Sequence, residues 1–141
     1  MSLRQGGATR VLIRGVGDIG SAVARRLFVA GYAVVVHDGE QPTTTRRGMA
    51  FADAMFDGQA TLDGIAALHV DHPEAVPAVL ADRAVVPVAV GVFGGVLRAV
   101  APDVLVDARM RKRDRPEGQR GLAPLTIGLG PNFAATPDGD L

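Results

Sequence analysis

Apolar residues along this chain alternate between short continuous runs and runs at helical spacing. The continuous runs cover 10–14, 33–36, 85–90, 104–107 and 125–129. Runs of this length, rich in Val, Leu and Ile, are typical of strands in a parallel sheet that is covered on both faces. Between the first two runs, Ile19, Val23 and Leu27 recur at helical spacing before Gly31. This spacing predicts an amphipathic helix over 18–30 that ends at the glycine.

The rest of the chain continues the alternation with weaker signals. Helices are predicted over 49–55, 73–81 and 93–100, although Pro77 fits the interior of the second one poorly. The run 65–70 fits either a strand or the end of a helix, because periodicity does not separate the two in a short apolar run. Polar segments predict loops at 39–48 and 109–121, the second of them strongly basic, and a frayed tail over 133–141.

The turn between the first strand and the first helix is rich in glycine. It reads Gly15-Val16-Gly17-Asp18-Ile19-Gly20. A GxGxxG sequence in this context is the Rossmann fingerprint: the first glycine permits a tight turn, the second lets a pyrophosphate approach the backbone, and the third lets helix and strand pack closely. The helix start also offers free N–H groups to an anion. We therefore predict that residues 15–20 bind a cofactor, the alternative being a glycine turn that binds nothing.

These elements predict one fold. We expect an α/β protein with a three-layer, Rossmann-like, doubly wound and mostly parallel sheet. At 141 residues the chain has the usual size of one domain, so a single dinucleotide-binding domain is expected over 1–141. Hydrophobic residues make up 48% of the chain and charged residues 21%, which is a globular composition.

Composition also limits the partners and the chemistry. Lys and Arg number 15 together, as do Asp and Glu, so no net charge attracts nucleic acid or a membrane surface. The chain contains no run of about 20 apolar residues, and its first ten residues lack the apolar segment of a signal peptide. A cytoplasmic protein is therefore expected. The absence of cysteine excludes disulfides, thiolate metal sites and thiol nucleophiles.

An acidic residue, Asp38, follows the second strand, near the position where Rossmann domains bind the adenosine ribose. A carboxylate there predicts NAD over NADP, because it repels a 2′-phosphate. The pair Asp38-Gly39 is also common in turns, which leaves a purely structural role open. Arg46 and Arg47 follow a few residues later and favour the opposite cofactor preference. Both NAD and NADP therefore stay open as ligands.

Other polar residues receive structural interpretations. Asp18 is expected to cap the first helix. The three histidines, His37, His69 and His72, lack metal-ligand spacing with carboxylates, so they are assigned to the surface or to strand ends and no metal site is predicted. No residue stands out as a nucleophile or base, so no catalytic residue is predicted.

Several stretches together resemble a known family. They are Val11–Gly15 with Gly17-Asp18, Gln41-Pro42 with Arg46-Arg47, Ala50–Ala54, Asp57-Gly58, Pro102–Met110 and Ile127–Pro131. On these residues the chain resembles the accessory proteins of selenium-dependent molybdenum hydroxylase systems, which are related to xanthine dehydrogenase accessory proteins. Family members usually continue for another domain's length, so the resemblance fits a nucleotide-binding fragment or a divergent short form.

The resemblance implies a Rossmann domain that helps to mature or supply the molybdenum cofactor of a hydroxylase. The implied partner is a subunit of that hydroxylase, and the implied ligand is NAD(P) or a molybdopterin dinucleotide, since each contains a pyrophosphate. When the family's pattern is carried over residue by residue, seven residues become candidates for the site: Gly15, Gly17, Gly20, Arg47, Asp107, Gly128 and Gly130.

Two other functions remain as alternatives. The glycine motif and Asp38 alone would suit a small NAD(P)-dependent oxidoreductase, but a proton donor for hydride transfer is hard to place, since Tyr32 and Lys112 are the only Tyr and Lys. The second alternative is a regulatory domain, in which the bound nucleotide orders the loops at 43–48 and 109–121. The high content of Val and Ala also suggests a homo-oligomer.

Overall fold

The computed structural model describes residues 8–38, 59–62, 64–109 and 122–129. In chain order the elements are β1 (Arg10–Arg14), α1 (Asp18–Val29), β2 (Ala33–Asp38), β3 (Gln59–Leu62), β4 (Ile65–Val70), a 3-10 turn (Pro73–Ala75), α2 (Val76–Asp82), β5 (Val86–Val90), α3 (Phe93–Val100), β6 (Val104–Asp107) and β7 (Leu125–Gly128). The loop predicted at 39–48, the helix predicted at 49–55 and the tail at 133–141 lie outside the described residues.

The strands form one seven-stranded sheet in the order β3-β4-β5-β2-β1-β6-β7. All neighbouring pairs are parallel except β3 and β4, which are antiparallel at one edge. The predicted α/β fold with a mostly parallel, doubly wound sheet is confirmed. Because β2 lies on one side of β1 and β6 on the other, the chain changes direction at β1. In such sheets ligands bind at the carboxyl ends of the strands beside this point.

Helices cover both faces of the sheet. Val11 and Ile13 of β1 pack on the face covered by α1, together with Val23 and Leu27 of that helix. Leu12 packs on the opposite face in the cluster that contains residues of α2 and α3. Successive side chains of the central strands β1 and β2 are therefore buried on opposite faces, which explains why their sequences are continuous apolar runs.

The segment 73–81 is helical as predicted, and the structure accommodates Pro77. Pro73–Ala75 forms a 3-10 turn, and α2 begins at Val76. Pro77 is thus the second residue of the α-helix, where its missing N–H has no intrahelical partner to lose.

The sequence left 65–70 open between strand and helix, and the structure makes it strand β4. Its antiparallel partner β3 was not predicted. The two strands form a hairpin in which Gly64 has a φ of +83°, a conformation that favours glycine. None of the helices in the described part of the chain is long and apolar enough to cross a membrane.

Candidate functional site

Gly15 shapes the turn that follows β1. Its φ is +110°, and a Cβ there would lie 3.0 Å from the backbone of Ala108. Its N–H donates a hydrogen bond of 2.8 Å to the carbonyl of His37 at the end of β2. A side chain is therefore excluded both by the backbone conformation and by the neighbouring chain, which is the tight turn expected from the sequence.

Gly20 lies where α1 meets this turn. A Cβ on Gly20 would come within 1.9 Å of the Gly15 carbonyl oxygen and within 2.9 Å of the Gly15 carbonyl carbon. Both are backbone atoms, which cannot rotate away as the end of a side chain can. The close packing of helix against strand that the sequence predicted for the third glycine is therefore present.

Gly17 differs from both of these glycines. Its φ of −69° and ψ of −167° are ordinary extended values. A Cβ on Gly17 would meet no atom of the described residues within 4 Å. The fold does not require a glycine at this position, and the space beside its backbone is open. This is the geometry expected where a ligand must approach the main chain.

The first turn of α1 begins at this open position. Gly17 is the N-cap residue, Asp18 is the first helical residue, and no side chain of the described residues caps the helix. The prediction that Asp18 caps the helix is therefore wrong, because the residue before it, Gly17, occupies the N-cap position. The first intrahelical bond runs from the N–H of Ser21 to the carbonyl of Gly17 at 2.9 Å. The N–H groups before Ser21 have no acceptor within the helix and are directed at its N-terminal end.

The two apolar residues of the motif differ in their exposure. Val16 is completely buried in the core. Its contribution to the site is its backbone, whose carbonyl also accepts a hydrogen bond of 2.9 Å from the Ser21 hydroxyl. Ile19 is 46% exposed in the first turn of α1, so its side chain lies at the surface beside the open position.

Asp38 lies next to the glycine turn, as the prediction requires. It is the last residue of β2 and is partly exposed. The N–H of Val16 donates a hydrogen bond of 3.1 Å to its Oδ2. This contact holds the carboxylate beside the turn, so the two parts of the predicted site, far apart in sequence, lie next to each other.

Asp107 and Gly128 end the two strands on the other side of β1, and they are Cα partners. Asp107 is 1% exposed, and its carboxylate accepts hydrogen bonds from the backbone N–H of Arg109 at 3.1 Å and from the Arg109 Nε at 2.9 Å. The structure thus uses Asp107 to anchor the residues after β6. Three predicted site residues, Arg46, Arg47 and Gly130, lie outside the described residues.

Sequence reasoning missed that Arg14 and His37 form a buried polar row with the predicted site residue Asp107 at the same carboxyl ends. Arg14 is the Cα partner of His37 on one side and of Asp107 on the other, and all three are less than 9% exposed. The Arg14 guanidinium lies 3.7 Å from the centroid of the Phe93 ring at the start of α3. The sequence contained one signal for this row: Arg14 and His37 each follow directly after an apolar run.

His37 is the residue in this row with the most varied contacts. Its Nε2–H donates a hydrogen bond of 2.7 Å to the carbonyl of Gly91, and its ring lies 5.5 Å from that of Phe93, centroid to centroid. His37 is therefore a strand-end residue, as expected, but a buried one. No group of three or more potential metal ligands occurs among the described residues.

Burial lowers the pKa of His37 below its usual value of 6.5. The hydrogen bond to the Gly91 carbonyl opposes this shift, and the positive charge of Arg14 adds to it. The charges of Asp38 and Arg109 make smaller contributions of opposite sign. Folding therefore favours the neutral imidazole.

This shift predicts that the protein loses stability on acidification. Well above pH 6.5 His37 is neutral in both the folded and the unfolded state. As the pH falls through this value, the unfolded state takes up a proton first and the folded state loses stability, and this loss of stability is complete below the lower pKa of the folded state. One such group changes the free energy of unfolding by at most about 1.4 kcal/mol per pH unit. Urea unfolding at several pH values will show a shallower pH dependence of stability for His37→Gln than for the wild type. Equal slopes for His37→Gln and the wild type would contradict the assignment.

Comparison with known proteins finds a much longer relative. Over 130 residues, 91% of this chain, the sequence is 42% identical to "Uncharacterized protein YqeB" of Escherichia coli (strain K12). The chain spans only 23% of that relative's length. No family model matches the chain, and no solved structure matches it significantly.

Proposed function

We propose that this protein is a cytoplasmic accessory protein of a molybdenum hydroxylase system of the xanthine dehydrogenase type, and that it binds a dinucleotide-type ligand at the glycine turn. The observation that supports binding most directly is the open space beside Gly17. It lies between two glycines, Gly15 and Gly20, whose missing side chains are explained by the packing of the turn itself.

The start of α1 suits the diphosphate of such a ligand. The N–H groups of the first turn, which lack partners within the helix, act together with the helix dipole to place roughly half a positive charge at this end. Asp38 lies beside the same turn and is suited to accept hydrogen bonds from a ribose. NAD(P) and a molybdopterin dinucleotide both present a diphosphate, so both are candidate ligands.

The polar side chains around the crevice favour binding over catalysis. The carboxylate of Asp38 is bonded to Val16, and the imidazole of His37 is bonded to Gly91. The carboxylate of Asp107 is bonded to Arg109. Each of these groups holds a segment of backbone in place, which is what a rigid binding crevice needs. A general acid or base would instead have to reach the substrate.

The position of the family-like stretches supports one shared site. Three of them, Val11–Gly15, Pro102–Met110 and Ile127–Pro131, are far apart in the chain. Their described parts form β1, β6 and β7, which are consecutive strands of the sheet. The parts of these three stretches that the structure describes thus lie on neighbouring strands beside the glycine turn.

The proposal is tested by ligand binding and by co-purification. Titration calorimetry with NAD, NADP and a molybdopterin dinucleotide identifies the ligand, and a tagged protein expressed with a molybdenum hydroxylase will retain a subunit of it. A complex with NAD alone and no retained subunit would contradict the accessory role. Steady oxidation of NADH with a panel of small carbonyl compounds would favour an oxidoreductase instead.

Asp38→Asn is expected to shift the cofactor preference toward NADP. The amide keeps an oxygen for the Val16 N–H but loses the charge that repels a 2′-phosphate. The ratio of the NADP to NAD dissociation constants should fall on the order of tenfold. Calorimetry with both cofactors measures this ratio, and thermal unfolding serves as the control for an intact fold. An unchanged ratio would remove Asp38 from the ribose site.

A further inference from the structure

The geometry points to His37 as a positioning residue for the nucleotide part of the ligand, an inference that rests on the function proposed above. His37 holds the turn between β5 and α3, formed by Gly91 and Val92, in a fixed orientation beside Asp38. It acts through this turn and does not itself contact the ligand.

His37 connects two turns at the carboxyl edge of the sheet. Its backbone carbonyl accepts the hydrogen bond from Gly15 in the glycine turn at 2.8 Å. Its imidazole donates to the carbonyl of Gly91 at 2.7 Å. Its ring also packs against Phe93, the first residue of α3. One residue therefore links the β5–α3 turn to the turn that is proposed to bind the diphosphate.

The β5–α3 turn lies where the nucleoside half of a ligand would reach. β5 pairs with β2, and Asp38 is the Cα partner of Val90. Gly91 and Val92 follow directly, so they leave the sheet next to the predicted ribose-binding carboxylate. Val92 is 80% exposed. An uncovered apolar side chain beside a single carboxylate is suited to contact the flat face of a base, since nucleotide sites combine apolar walls with few polar groups.

The hydrogen bond to Gly91 acts on the peptide unit that leads into Val92. The Gly91 carbonyl belongs to the planar peptide unit that continues into Val92, so fixing this oxygen also fixes the direction in which Val92 leaves the turn. Gly91 has a φ of +117°, in a region open mainly to glycine, and glycine loses the most conformational freedom on ordering. The Val92 carbonyl is held by the N–H groups of Gly95 and Val96, so the imidazole orders the Gly91 part of the turn. Without the imidazole, this part would become ordered only when the ligand binds, and the affinity would fall.

The test compares two substitutions of His37 on two probes. His37→Phe keeps a ring against Phe93 but lacks the donor, whereas His37→Gln retains a side-chain N–H that can reach the Gly91 carbonyl. Calorimetry is carried out with ADP-ribose, which contains a nucleoside, and with inorganic pyrophosphate, which does not. We expect His37→Phe to weaken ADP-ribose binding about tenfold with pyrophosphate unchanged, and His37→Gln to restore most of the loss.

A second variant keeps the test independent of the stability of His37→Phe. Val92→Ser changes an exposed side chain and should also weaken ADP-ribose but not pyrophosphate. If His37 acts through Val92, the two losses will be less than additive in the double variant. Equal loss for both probes, or no rescue by His37→Gln, would reduce His37 to a structural residue. If the wild type binds neither probe, the proposed function fails as well; if it binds ADP-ribose and His37→Phe binds it equally, only the positioning role fails.

Discussion

Gly17→Val is expected to abolish dinucleotide binding and to leave the fold intact. The backbone at Gly17 has a φ of −69°, which a β-branched residue adopts without strain. A Cβ there meets no atom of the described residues within 4 Å, so a side chain can start from this position without a clash. The methyl groups of the valine would occupy the space in front of the first N–H groups of α1, where the diphosphate is proposed to bind.

The affinity for the ligand should fall at least on the order of a hundredfold, because the diphosphate loses its hydrogen bonds and is also sterically excluded. Calorimetry measures the loss, and the midpoint of thermal unfolding should stay close to that of the wild type. Gly17→Ala should give an intermediate loss. Ala22→Val provides a matched control, because it adds a valine at an exposed position of the same helix, beyond its first turn. Unchanged affinity in Gly17→Val would remove the glycine turn from the site.

Much of the architecture was predictable because a doubly wound sheet buries both faces of its strands. Val34, Val35 and Val36 are each at most 1% exposed, although they point alternately to opposite faces. A continuous apolar run is the direct sequence consequence of that burial. The roles of Gly15 and Gly20 were predictable for a related reason, since both follow from backbone contacts within the strand–turn–helix unit.

The features that the sequence did not reveal depend on neighbours distant in the chain. The row formed by Arg14, His37 and Asp107 exists only because β2, β1 and β6 are adjacent in the sheet and pair in this register. The resemblance marked Asp107 as a site candidate but did not indicate that Arg109 donates hydrogen bonds to its carboxylate. Which residue occupies the N-cap position of α1 likewise depends on the dihedral angles of the turn.

Strand β3 escaped prediction because its sequence has little strand character. Gln59–Leu62 is only four residues long and mixes polar and apolar residues. It lies at the edge of the sheet and pairs only with β4, among the described strands. An edge strand of this length lacks the continuous apolar run that identified the central strands.

Gly20→Ala is expected to destabilise the protein strongly, in contrast to Gly17→Ala. The added methyl group would lie 1.9 Å from the Gly15 carbonyl oxygen. That oxygen cannot move aside easily, because Gly15 is bonded to His37 and has the backbone of Ala108 close by. The start of α1 must therefore shift away from β1, which disturbs the core that this helix covers.

The cost should exceed about 3 kcal/mol of unfolding free energy, because backbone clashes in packed interiors belong to the largest effects of single substitutions. It outweighs the gain of about 1 kcal/mol from replacing glycine by alanine within a helix. Urea unfolding of both variants measures the difference. The same chemical change thus removes stability at one glycine and affinity at the other. If Gly20→Ala were as stable as the wild type, α1 would not pack on the turn as described, and the argument for the open space at Gly17 would fail with it.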